Sequence, residues 1–193
     1  MRAAVLSPAL LALCIVLRMI SIAHGQAAAA WVPPGPTVGS TFPDALDLQD
    51  QSGNKQNFKS LLGKRGAAIF FVRSADWCPF CKRQLVDVNG RLTEFKALGL
   101  NVISVSHDEV DLIAAFHQSQ SIGYTMLADP DGTVVEKLGI RDLQYSDGSK
   151  AYGVARPMIF IVNPQLTITH KYAEESYKDR PDLNKVLAEL RGK

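Results

Sequence analysis

Cysteine is scarce: the 193 residues hold three, Cys14, Cys78 and Cys81. An excess of one charge is missing too. Twenty-one Lys and Arg face nineteen Asp and Glu, intermixed, for a net charge of +2. That balance gives no basic stripe for nucleic acid or an anionic surface, and no nucleic-acid partner is expected. Long hydrophobic runs are also lacking. The apolar run Ala3 to Leu17 falls short of the roughly 20 residues a membrane span needs, and Arg18 interrupts its extension. There are no internal repeats.

Where the apolar run lies tells more than its length. Arg2 precedes it, and Ala23-His24-Gly25 follows with small residues at the −3 and −1 positions of a cut. Residues 1–25 therefore read as a secretory signal peptide. Left uncleaved, the segment would act as an N-terminal anchor, since Ile20 and Ile22 prolong its apolar character. Cys14 falls inside it and is discarded with it; Leu13 is too large for a lipoprotein cleavage site. Removing the leader leaves 193 − 25 = 168 residues, enough for one domain with a real core. Residues 26–37, Ala-rich and then Val32-Pro-Pro-Gly-Pro36, read as a flexible linker, partly polyproline-like. Residues 38–193 form the domain. It carries only Cys78 and Cys81, as expected of a chain exported to an oxidising compartment where reductant must be supplied. The expected location is the bacterial periplasm, or the inner-membrane surface if the anchor is retained.

Within the domain, Leu46-Asp-Leu48 and Lys55-Gln-Asn-Phe58 flank Gln51-Ser-Gly-Asn54, a hairpin signal. Leu61 and Leu62 suggest a short helical turn. Strands are expected over Ala67–Val72, Asn101–Ser106 and near Tyr124–Leu127, with helices over Pro79–Leu98 and Asp108–Gln120 between them. Asn89-Gly90 should mark a kink or a close backbone contact in the first helix. A brief helix over Asp131–Ile140 and a polar loop over Arg141–Gly153 follow. Met158–Val162 and Leu166–Lys171 read as an antiparallel pair, and Asp182–Leu190 as a final helix. The alternation specifies an α/β domain, a central mixed sheet flanked by helices.

The chemistry concentrates in Ala75-Asp-Trp-Cys-Pro-Phe-Cys-Lys82. It follows the apolar run Ala67–Val72 and precedes Leu85, Val88, Leu92, Phe95 and Leu98, spaced by threes and fours on one helix face. Cys78 thus sits where a buried strand becomes a helix, and Pro79 suits the first turn. Unpaired N–H groups and the positive helix end favour a thiolate there. Cys81, three residues on, can attack a mixed disulfide. As a plain staple the pair would be poor: closing a loop of about four residues stabilises by roughly 2 kcal/mol, against about 4.7 for a hundred.

This motif resembles a thioredoxin active site, in which an aromatic precedes Cys-x-x-Cys and a lysine follows. From Gly39 to about Leu190 the chain is similar to the redoxin group of the peroxiredoxin (AhpC/TSA) superfamily. Val38-Gly-Ser-Thr-Phe-Pro-Asp44 and Leu127-Ala-Asp-Pro-Asp-Gly132 carry that resemblance. It implies a thioredoxin-like fold with an N-terminal β-hairpin and an antioxidant or disulfide-exchanging oxidoreductase with no cofactor and no resident metal. It places a cis-proline at Pro157, beside Arg156, packed against the cysteine pair. Arg156 either stabilises a thiolate or peroxide oxygen or is a salt-bridged surface residue. The family's arginine aligns with Pro157 rather than with Arg156. Trp77 is expected to cover the pair and shape the docking face, and Phe80 to be exposed there. Ser74 stands where peroxiredoxins carry the proline of Pro-x-x-x-Thr-x-x-Cys, Cys78 at the threonine and Cys81 at the peroxide-reactive cysteine. The superfamily pattern thus assigns the nucleophile to Cys81, whereas helix-end physics assigns it to Cys78 for disulfide exchange.

His107 and Asp108 end a parallel strand at the sheet edge where ligands gather. They read as a proton shuttle or as helix capping, with Asp108 the N-cap. The expected partners are protein disulfides or dithiols, peroxides and an external thiol reductant, with membrane contact only through an uncleaved leader. The alternative is a copper-binding module using both thiolates and His107 or His170, since soft thiolates suit Cu(I). No Met/His cluster accompanies the cysteines.

Overall fold

Period-two alternation along the central apolar run splits the molecule into two cores. In the computed structural model, which describes residues 31–44 and 47–192, every residue of strand β3 (Gly66–Phe71) is buried. Successive side chains on a strand point to opposite faces. Ala68 and Phe70 therefore enter one core, and Ala67, Ile69 and Phe71 the other. A central strand buried on both sides needs a covering layer on each. The leader expected over residues 1–25 lies outside the described residues.

β3 pairs in parallel with β4 (Leu100–Ser106), which pairs in parallel with β5 (Thr125–Ala128). On its other side β3 meets β6 (Met158–Val162) antiparallel, and β6 meets β7 (Ile168–Ala173) antiparallel. β1 (Leu48–Asp50) runs antiparallel to β5, and β2 (Lys55–Gln56) antiparallel to β1. The mixed sheet has the order β2-β1-β5-β4-β3-β6-β7. Helices α1 (Pro79–Gly90), α2 (Leu92–Ala97) and α3 (Val110–Ser119) cover one face through Leu85, Val88, Phe95, Ile113 and Phe116. α4 (Thr133–Lys137) lies on the opposite face with Phe42, Phe58 and Phe160. The last helix, α5 (Leu183–Leu190), returns to the first face with Leu183, Val186 and Leu187.

Five expectations need adjusting. The long helix over Pro79–Leu98 is two helices, broken at Arg91, whose φ of −110° and ψ of 11° are not helical. Gly90 makes no close backbone contact, since a Cβ there would meet nothing within 4 Å. The break is fixed instead by Asn89, which donates to Ser121 O at 3.1 Å and accepts from Gly123 N at 2.8 Å. The helix over Asp131–Ile140 shrinks to α4, preceded by left-handed Gly132 at φ 66°. The strand expected from Leu166 starts at Ile168, because Leu166 adopts φ 60° in the turn. Asp108 is not the N-cap of α3; Glu109 is, without a side-chain bond. Finally, the linker is not loose up to residue 37. Lys171 Nζ donates to the carbonyls of Pro33, Pro34 and Gly35 at 3.1, 3.4 and 3.5 Å.

Asp50 organises the β1–β2 turn. Its carboxylate accepts from Ser52 N at 2.8 Å, Asn54 N at 3.0 Å and Gln56 Nε2 at 2.8 Å. Burial works against the charge, but the bonds from Gln56, Asn54 and Ser52 prevail and hold the carboxyl below its ordinary value. A folded pKa below the unfolded one stabilises above the unfolded pKa, and that contribution is lost as pH falls through the folded one. Asp50→Asn should therefore cost about 2 kcal/mol at pH 7 in urea unfolding. The gap from the parent should narrow as the pH drops below the ordinary aspartate value of 3.8 and the folded protein takes up its proton.

Candidate active site

The parallel strands β3 and β4 end side by side, with Val72 N donating to Val105 O at 3.0 Å. The chain leaving β3 must turn sharply into α1, and Asp108, just beyond β4, holds that turn. Its carboxylate accepts from Ser74 Oγ at 2.6 Å, Ala75 N at 2.6 Å and Ser106 Oγ at 2.8 Å. Ser74 Oγ in turn accepts from Asp76 N at 2.9 Å and Trp77 N at 3.1 Å. Ser74 thus fixes the turn by donating to Asp108 and accepting from the N–H groups of Asp76 and Trp77.

The turn delivers Cys78 in extended conformation (φ −94°, ψ 103°) as the N-cap of α1, with Pro79 next. Cys78 and Cys81 form a disulfide with Cα atoms 5.2 Å apart. Their residues are 1% and 0% exposed. Each sulfur faces a donor of positive character. Cys78 Sγ accepts from Cys81 N at 3.3 Å. Cys81 Sγ accepts from Arg180 Nη2, also at 3.3 Å.

Arg180 comes from the connection between β7 and α5, and its guanidinium is gripped on several sides. Nε donates to Gln84 Oε1 at 2.7 Å, and Nη1 to Tyr177 O and Asp179 O at 2.6 and 2.7 Å. Burial pushes its pKa down to about 10; Arg73 and Arg83 push the same way and Asp179 opposes them. Negative charge on the neighbouring sulfur relieves that penalty. Next to it, Phe80, Arg83, Gln84, Lys178, Arg180 and Leu183 line an open groove of ≈ 320 Å³.

The expected site residues divide. Cys78, Pro79 and Cys81 lie together at the first turn of α1. Trp77 is 44% exposed, and its ring lies 4.9 Å from the Arg73 guanidinium. Phe80 is half-buried rather than exposed, edge-on to Tyr177 at 6.5 Å and 5.1 Å from Arg83. Pro157 is buried and leads into β6, but its peptide is trans: among the described residues no peptide bond is cis. The antiparallel pairing of Met158 with Phe71 carries the chain straight from Pro157 into the sheet. Arg156 pairs with Asp142 at 3.9 Å and donates to Glu175 O. His107 holds its Nδ1 3.1 Å from Asp129 O, and His170 stacks on Tyr172. Among the described residues no group of three His, Cys, Asp or Glu could hold a metal ion.

Sequence reasoning missed Arg180, Gln84 and Arg73. Arg180 lies 99 residues beyond Cys81, and nothing in its local spacing links it to the motif. Only the register of β6 and β7 brings it back.

A mixed sheet with helices on both faces and a Cys-x-x-Cys disulfide where the central strand turns into a helix defines a thiol-redox protein of thioredoxin-like fold. Residues 38–171 match the AhpC/TSA family, and the chain belongs to it. Peroxiredoxin Bcp of Escherichia coli K12 is 24% identical over 138 residues, covering 72% of this chain and 86% of that protein. The 1-Cys peroxiredoxin B of Oryza sativa subsp. indica is 30% identical over 121 residues, 59% of this chain and 54% of that one. The crystal structure of peroxidoxin BcpB from Mycobacterium tuberculosis superposes with a TM-score of 0.68 at 24% identity, covering 80% of this chain and 96% of the other. The protein is accordingly a thiol-dependent oxidoreductase.

Proposed function

We propose that this chain is an exported thiol peroxidase that cycles Cys78 and Cys81 between dithiol and disulfide. The observation that carries the reading is the guanidinium of Arg180 on Cys81 Sγ, within a disulfide already closed to Cys78. A full positive charge at 3.3 Å outweighs the roughly half charge that a helix end offers Cys78. Cys81 is therefore the attacking thiolate. It displaces ROH from the peroxide: the O–O bond breaks, the leaving oxygen takes a proton, and Cys81 becomes a sulfenic acid. The Cys78 sulfur then attacks Cys81, water leaves, and the S–S bond forms. An external dithiol returns two electrons and two protons, itself becoming a disulfide.

Export rests on the leader pattern over residues 1–25 and on the absence of thiols other than the pair beyond it; the periplasm is the corresponding site of action. A second reading, exchange with protein disulfides, is favoured by the exposed ring of Trp77 beside the motif.

The test is direct. Reduced protein mixed with micromolar hydrogen peroxide or cumene hydroperoxide should lose both thiols of the pair per equivalent of peroxide consumed, and dithiothreitol should restore them. Thiols that persist through excess peroxide, together with rapid reduction of insulin, would replace the peroxidase with the exchange reading. Expressed with its leader, the chain should be recovered from the periplasm starting at Gln26; recovery from the cytoplasm with Met1 intact would refute export.

A further inference from the structure

One buried cation near the site has no part in the chemistry above. Arg73 is 5% exposed. Three aromatic rings surround its guanidinium carbon, Tyr177 at 4.5 Å and Trp77 and Tyr145 at 4.9 Å each. Nη2 donates to Tyr145 Oη at 2.5 Å, while Nε is buried without a hydrogen-bond partner among the described residues. Cation–ring contacts of this kind strengthen as water is excluded.

The three rings come from three separate segments. Trp77 belongs to the cysteine turn, Tyr145 to the loop after α4, and Tyr177 to the β7–α5 connection. Tyr177 matters most, because its carbonyl accepts from Arg180 Nη1 at 2.6 Å and its ring abuts Phe80, inside the cysteine motif. A continuous path thus runs from Arg73 through Tyr177 to Arg180 and Cys81. Arg73 also acts on Arg180 through space, since its charge is among the causes that lower the Arg180 pKa.

We propose that Arg73 is a positioning residue: clamped by Trp77, Tyr145 and Tyr177, it holds the β7–α5 connection so that Arg180 stays on Cys81. Without the clamp, the Tyr177–Arg180 segment is free to move outward, and Cys81 loses the positive partner of its ionised form. The inference rests on Cys81 being the ionised sulfur of the reduced pair.

Two readouts test it without peroxide. Thiolate absorbance at 240 nm reports Cys81 ionisation in a Cys14→Ser, Cys78→Ser background of the full chain. Equilibration with dithiothreitol, which becomes a disulfide as the Cys78–Cys81 bond opens, reports the redox poise with both cysteines of the pair intact. Arg73→Met should raise the Cys81 titration midpoint by about one pH unit, a tenfold change in the ionisation constant. It should also lower the equilibrium constant for reduction about tenfold, close to 30 mV. Arg73→Lys, which keeps the charge and can still stack, should recover most of both shifts. Should Arg73→Met fail to fold by circular dichroism, Tyr177→Leu removes one wall of the clamp and should move both readouts the same way. A folded variant with parental titration and parental equilibrium overturns the proposal. Because neither measurement consumes peroxide, a protein that shows the shifts yet leaves peroxide untouched would refute the peroxidase reading and keep this one.

Discussion

Replacing Cys81 with serine should abolish peroxide consumption, with the second-order rate falling at least roughly a thousandfold. Cys78→Ser behaves differently. Its first equivalent of peroxide should still be reduced at close to the parental rate, and the product should stall as a sulfenic acid that dimedone traps. The asymmetry follows from what each sulfur faces. Cys78 meets one backbone N–H, from Cys81, at 3.3 Å. Cys81 meets a guanidinium whose other donors are fixed on Gln84, Tyr177 and Asp179. A donor held this way needs no reorganisation as charge develops, the circumstance in which electrostatic stabilisation is largest. Mass spectrometry of the two variants after one equivalent of peroxide reads the outcome. A sulfenic acid on Cys78 in the Cys81→Ser variant, formed at the parental rate, would reverse the assignment and return the nucleophile to the helix end.

The assignment shows where the sequence was legible and where it was not. Ala67–Val72 and the spacing of Leu85, Val88 and Phe95 are local patterns, and the strand, the helix and the cysteine turn between them follow from period and capping alone. The mixed sheet is legible for the same reason, since strands separated by helical segments leave few topologies. The break at Arg91 was visible as Gly90, but its cause is Asn89 reaching Ser121 and Gly123 more than thirty residues away. Arg180 is the extreme case. Its neighbours Asp179 and Pro181 are ordinary turn residues, and its role exists only because β7 and α5 return the chain to the first turn of α1. Arg156 sits at a strand start, one residue before the position of the family's arginine, and the sequence leaves it open between a thiolate partner and a salt-bridged surface residue. Tertiary register, carrying no local signature, placed a guanidinium on Cys81 from a different segment.

Asp108 yields the second large effect, and on stability rather than chemistry. Its sequence position suggested a helix cap, worth about 1 kcal/mol. In the fold it is 4% exposed and accepts from two hydroxyls and one backbone N–H. Asp108→Ala leaves Ser74, Ala75 and Ser106 with buried donors and no acceptor, and each orphaned group costs about 1–3 kcal/mol unless water enters. The two hydroxyls can rotate toward other acceptors while the Ala75 N–H cannot, so we expect the low end of the sum, about 3 kcal/mol. For a domain of this size that lowers the melting temperature by roughly 6–12 °C. Asp108→Asn should lose less, about 1–2 kcal/mol, because one oxygen survives while the amide nitrogen now faces a donor. Ser74→Ala tests whether the loss runs through the cysteine turn, since that hydroxyl also receives the N–H groups of Asp76 and Trp77. In a double-mutant cycle the Ser74 and Asp108 losses should be far from additive, with a coupling energy of at least about 1 kcal/mol. Additive losses would mean that Asp108 supports β4 alone and that the turn presenting Cys78 holds its shape without it.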